Sequence, residues 1–151
     1  MEIDGGCPMC KAAEVGKIVI NKCLDNDITI DTQKLQKLLV LMQIECIKRS
    51  RKPLFKEDIR IWNCGVAIKE VDEEFRDSGE FFSKHQEEYI NLLDAEKACV
   101  DYIIDEFGKM DALELNDLPI FKKIQELGIP DAKSMVPHIS YQILIGAFCY
   151  I

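Results

Sequence analysis

A chain of 151 residues, 48% apolar and 30% charged, is long enough to bury a core without disulfides or metal, which excludes a disordered or fibrous protein. Its net charge of −8 works against nucleic-acid binding, which depends on Lys and Arg displacing counterions from phosphate. No apolar stretch approaches bilayer length, and the start Met1-Glu2-Ile3-Asp4 is acidic rather than secretory, so a cytoplasmic protein is expected.

The first motif is Cys7-Pro8-Met9-Cys10. A C-P-x-C turn aims two thiolates at one point and suits half of a structural zinc site. In a reducing compartment the seven Cys read as thiols or metal ligands rather than as a disulfide framework. The missing ligands would come from Cys23, Cys46, Cys64, Cys99, Cys149, His85 or His138. The alternative is a tail, residues 1–11, carrying two thiols. Cys46, Cys99 and Cys149 lie in apolar surroundings that favour the core, and His85 in a polar stretch that favours solvent. His138, after Pro137, is placed to cap or ligate.

Residues 12–24 repeat Val15, Ile18, Val19 and Leu24 at helical spacing. Asp31 is a predicted N-cap for a second helix whose face is Leu35, Leu38, Leu39, Met42 and Cys46. Pro53 ends it, because the residue before proline is pushed out of the helical region. Ile59, Ile61, Val66 and Ile68 read as short strands around the turn Asn63-Cys64-Gly65. Trp62, the sole tryptophan, is expected to anchor that sheet in the core; exposed, it would instead suggest a hot spot for a partner. Helix resumes near Glu70 as far as Ser78-Gly79.

The clearest later helix covers 94–107, with Gly108 as its left-handed stop and Cys99, Tyr102, Ile103 and Phe107 as its apolar face. Another covers 120–127. The closing segment 141–150 is almost wholly apolar and reads as a buried helix. The expectation is a mostly α, compact domain over 12–151, with five to six helices and a two- or three-stranded β-sheet.

Charge is unevenly placed. Lys48, Arg49, Arg51, Lys52 and Lys56 form a basic stretch; Glu70, Asp72, Glu73, Glu74, Asp77 and Glu80 form an acidic one. Both could be solvated faces. The acidic set, Glu70, Asp72, Glu73, Glu74 and Asp77, is also suited to meeting a basic protein partner. With two His, and no G-x-S-x-G, HExxH, P-loop or GxGxxG pattern, catalysis is not expected.

Three stretches occur in a telling order: Lys34-Leu35-Gln36-Lys37-Leu38-Leu39, then Lys52-Pro53-Leu54-Phe55, then Ile61-Trp62-Asn63-Cys64-Gly65. Further on come Leu92-Leu93-Asp94-Ala95-Glu96-Lys97, Asp111-Ala112-Leu113-Glu114-Leu115 and Ile139-Ser140-Tyr141-Gln142. The chain thereby resembles the SocA-like antitoxin (Panacea) family over roughly residues 14–151. It departs from the family pattern at Val40, Arg51, Cys64 and Asn116-Asp117-Leu118-Pro119. Cys64 stands where the family carries an aromatic residue, which makes it the favoured third zinc ligand beside Cys7 and Cys10.

The resemblance implies a phage- or mobile-element-borne, non-catalytic inhibitor that neutralises a protein target, a toxin, by direct binding. The alternative is a phage inhibitor of a defence nuclease such as a CRISPR effector, its acidic surface blocking nucleic-acid loading.

Overall fold

The nineteen residues of α2 (Thr32–Ser50) run through the middle of the molecule, and the other elements are arranged around them. The computed structural model describes residues 10–62, 65–79, 81–128 and 136–149. Among these residues α2 follows α1 (Ala12–Asp25) and precedes the hairpin β1 (Ile59–Trp62) and β2 (Gly65–Ala67). The chain continues through α3 (Lys69–Phe75), α4 (Asp94–Phe107), α5 (Ala112–Asn116) and α6 (Pro119–Leu127), then β3 (His138–Ile139) and α7 (Tyr141–Phe148). The expected mostly helical domain with a three-stranded sheet is what forms. The helix beyond the expected six is α5, a single turn opened by Asp111 and Glu114 capping each other's backbone.

Asp31 caps α2 as its sequence position implies, its carboxylate accepting the Lys34 N–H at 2.7 Å. Leu35, Leu38, Leu39, Met42 and Cys46 are all buried. So, however, are Lys34, Gln36, Lys37 and Gln43. The helix is enclosed on every side instead of along one stripe, and its polar side chains serve the surrounding backbone. Gln43 donates to the Phe55 carbonyl at 2.7 Å and accepts from the Leu54 and Phe55 N–H groups at 2.7 and 3.3 Å. Gln36 makes the same two-way pair with Ile68, at 3.1 and 2.8 Å. Asn21 of α1 does so with Gln86, at 2.9 and 2.7 Å.

Each side-chain amide thus stands in for a neighbouring strand, satisfying peptide groups that would be costly to bury unpaired. Lys34 and Lys37 end on the carbonyls of Thr29 and Val66, at 2.9 and 3.3 Å. Burial lowers the Lys34 ammonium from its usual range.

The sheet order is β2-β1-β3, antiparallel throughout, with Ile61 opposite Val66 and Ile59 opposite Ile139. Gly65 takes φ 115°, and a Cβ there would stand 2.8 Å from Asn116 Oδ1, so glycine is required twice over. Helix α2 ends at Ser50, and its C-cap, Arg51, adopts the left-handed φ of 61°. The turn is made by Arg51 itself rather than by the approach to Pro53.

Three expectations need correcting. Helix α7 is not a buried helix: only Leu144 is fully covered, because α7 rests on α2 along one side and leaves the rest half-buried or exposed. Gly108 is right-handed, at φ −63°; it is small because a Cβ would run into the Ile104 carbonyl. Tyr102 is 42% exposed and lies under the Arg49 guanidinium, 5.0 Å from the ring centre, instead of joining the buried face of α4.

Glu96 is almost fully buried and accepts the Leu93 N–H at 2.8 Å. Burial raises its carboxyl above the usual range, partly countered by that bond. Ionised Glu96 therefore costs stability above its folded pKa, and the cost disappears as pH falls through that value to the unfolded one. Glu96→Gln, which keeps the acceptor without the charge, is expected to raise stability at neutral pH by about 1 kcal/mol, or roughly 2–4 °C in Tm. In melts at falling pH the advantage should fade into the acidic range. An equal gain at all pH values would mean that charge is not the cause.

Candidate protein-binding site

Helix α3 is held by its two inward residues. Val71 and Phe75 are buried, and Phe75 meets Phe82 edge to face with ring centres 5.4 Å apart. Its start is fixed by the Gln36–Ile68 pair. With those residues inward, Glu70, Glu73, Glu74 and Asp77 are exposed and Asp72 is half-exposed.

Three of the five are offset from within the chain. Asp72 pairs with Arg76 at 2.9 Å, Glu73 with Lys69 at 3.8 Å, and Glu74 with Lys17 at 3.9 Å. The Asp72 bond also raises the Arg76 guanidinium above its usual range. Among the described residues Glu70 and Asp77 have no such partner. Pairs this exposed add little to stability and re-form readily with another molecule.

Beside α3 lies a groove of about 240 Å³. Thr32, Gln33 and Lys37 of α2 form one wall; Trp62 and Val66 of the hairpin form the floor; Asp72 and Arg76 close the other side. Trp62 is half-buried, which corrects the expectation of a core residue. It ends β1, opposite Gly65. An aromatic ring next to a switchable ion pair is the kind of arrangement that anchors a protein partner. The acidic residues and the i, i+4 spacing of Asp72 and Arg76 were readable in the sequence; the groove is not, because it arises where α2, the β1–β2 hairpin and α3 meet.

The proposed zinc ligands are placed in part. Cys7 and Cys64 lie outside the described residues, as does Glu80 of the acidic run. Cys10 is 2% exposed, its backbone bridging Phe55 in parallel, and the nearby Ala12 N–H donates to Glu57 at 3.1 Å. The residues just after the motif are thereby fastened to the domain. Among the described residues no three His, Cys, Asp or Glu side chains cluster as a metal site. Cys23, Cys46 and Cys99 are buried thiols, and burial lifts Cys23 to about 11.

His85 is exposed and pairs with Asp25 at 2.7 Å. His138 sits in β3 with its Nδ1 lacking a partner among the described residues, while Ser140, not His138, caps α7. Zinc on Cys7, Cys10 and Cys64 stands as a proposal from the sequence. Elemental analysis should return about one zinc per chain, lost in the Cys7→Ser/Cys10→Ser protein. A metal-free preparation with an unchanged melting temperature ends it.

The family model for the antitoxin SocA-like, Panacea domain matches residues 35–119, from the first turn of α2 to the start of α6. No curated protein and no solved structure matches the chain. No described helix is long and apolar enough to cross a membrane.

Proposed function

The chain belongs to the SocA-like antitoxin (Panacea) family, and from that premise we propose that it is a non-catalytic inhibitor whose α3–Trp62 surface binds and neutralises a protein toxin. The observation that carries this reading is the half-exposed Trp62, set in a groove whose rim is the Asp72–Arg76 pair. A partner cation can take Asp72 from Arg76 while an apolar neighbour covers the indole, so both gains are made only on binding. The family match favours a toxin as the target.

The other candidate target is a defence nuclease, with the acidic surface blocking a long nucleic-acid channel. That role needs a wide, strong field, and three of the five acids on and just after α3 are already offset. The compact groove is therefore the better-supported surface, with Glu70 and Asp77 left to steer the approach.

The test is co-expression and titration with the product of a neighbouring toxin reading frame. The protein should restore growth and form a stable complex. Reversing Glu70 and Asp77 to Lys should slow association about tenfold at low salt and flatten its salt dependence, with little change in dissociation. Unchanged association rates would reduce the acidic residues to a solubility feature.

A further inference from the structure

The loop between α1 and α2, the first turn of α2 and the turn between α4 and α5 border a pocket of about 380 Å³ that shares no lining residue with the Trp62 groove. Pockets of this size hold small molecules. Lys34 is its most deeply set charge, at 6% exposure. An ammonium carries three N–H donors. Among the described residues this one makes a single hydrogen bond, to the Thr29 carbonyl at 2.9 Å, and pairs with no carboxylate. A cation buried without a counter-ion is costly to keep. Burial lowers it from its usual range, and Cys23, Asp31, Asp111 and Glu114 around it offset this only in part.

The other charges lie further out. Asp31 is half-buried and spends one carboxylate oxygen on the Lys34 backbone N–H. Asp27, Asp111 and Lys109 are exposed. One oxygen of Asp111 caps α5, while the Asp27 carboxylate has no partner among the described residues. Phe81, 49% exposed, is held beside Asp31 by a backbone bridge. Three carboxylates and two ammonium groups thus line the pocket, an excess of one negative charge, with a buried cation beneath an acidic rim.

We propose that this pocket binds a free basic amino acid, its carboxylate on the Lys34 ammonium and its side-chain cation at the rim with Asp27 and Asp111. The α-ammonium takes the second Asp31 oxygen, and the aliphatic stem lies along Ile28 and Phe81, whose ring face also favours a cation. Charge selects the ligand. Arginine or lysine carries one net positive charge at neutral pH, the complement of the lining. An acidic amino acid would bring a further carboxylate among three, and an amine without a carboxylate would leave Lys34 unpaired.

The test titrates the full isotope-labelled chain with L-arginine. Saturable shifts are expected at Asp27, Lys34, Phe81 and Ala112, with none at Trp62 and half-saturation below about 1 mM. Agmatine, which lacks the carboxylate, and L-norleucine, which lacks the side-chain cation, should each bind at least about tenfold more weakly. L-glutamate should not bind. Lys34→Met keeps the length of the side chain without its charge and should abolish the arginine shifts. Because the Thr29 bond is lost with it, Asp27→Asn supplies a second variant at an exposed position. It should weaken arginine binding about fivefold and leave the melting temperature unchanged.

The inference is overturned by absent shifts, by shifts centred on Trp62, or by half-saturation above about 1 mM. It is equally overturned if agmatine, norleucine or glutamate binds as tightly as arginine, or if arginine affinity is indifferent to both variants. Equal binding of N-acetyl-L-arginine amide also overturns it, since the pocket would then be a socket for a side chain of another protein. Neither variant alters the Trp62 groove, so toxin neutralisation tests that reading separately.

Discussion

Replacing Gln43 with Leu is expected to cost about 4 kcal/mol and lower the melting temperature by roughly 10 °C. The size follows from what is left behind rather than from what is removed. Gln43 is fully buried and serves three peptide groups, the carbonyl of Phe55 and the N–H groups of Leu54 and Phe55. A leucine fills similar space, so little is lost in packing, but each abandoned peptide group costs about 1–3 kcal/mol when buried without a partner. Gln33, one helix turn or more away and exposed, supplies the control; Gln33→Leu should stay within about 0.5 kcal/mol. A loss at Gln43 below about 1.5 kcal/mol in denaturant melts would show that the 54–55 backbone finds other partners.

The second large effect is expected at the binding surface. Trp62→Ala should weaken the complex with the toxin about a hundredfold, seen chiefly as faster dissociation. The indole is half-exposed in the free protein, so covering it is a gain the complex alone makes. Trp62→Phe should recover part of the affinity, because the ring area is partly restored. Asp72→Asn gives the complementary readout: it removes the carboxylate a partner cation would take and frees Arg76. If Trp62→Ala binds as tightly as the parent while folding normally, the groove is not the contact surface.

Much of the frame is legible in the residues. The cap at Asp31, the apolar spacing of α1, α2 and α4, and the hairpin around 63–64 follow from local rules that the structure obeys. What local rules misjudge is how many sides of an element are covered. Helix α2 has polar residues on its flanks and so reads as amphipathic; it is enclosed because those amides and ammonium groups find backbone partners far along the chain. Helix α7 is the converse, apolar all round yet packed on one side.

Strand β3 pairs with β1 across nearly eighty positions and is two residues long, which leaves no periodicity to detect. The acids of α3 were visible as a run, but the pairing of Glu74 with Lys17 depends on where α1 and α3 meet. Trp62 was misplaced for the same reason: it ends β1, the central strand, yet how far its ring is covered depends on how α2, the hairpin and α3 meet around it.

The amide pairs at Asn21, Gln36 and Gln43 have a consequence for how such a domain diversifies. Each grips a peptide group and is indifferent to the side chain attached to it. The stretches around 54–55 and 68 are fixed a second time by the burial of Leu54, Phe55 and Ile68, so the freedom falls to the exposed residues beside them and to the stretch around 86. The neighbouring exposed positions on the hairpin and on α3, where the proposed contact surface lies, inherit that freedom. A lineage pressed to follow a changing target can rewrite its contact surface one substitution at a time, while three buried amides keep the scaffold in register.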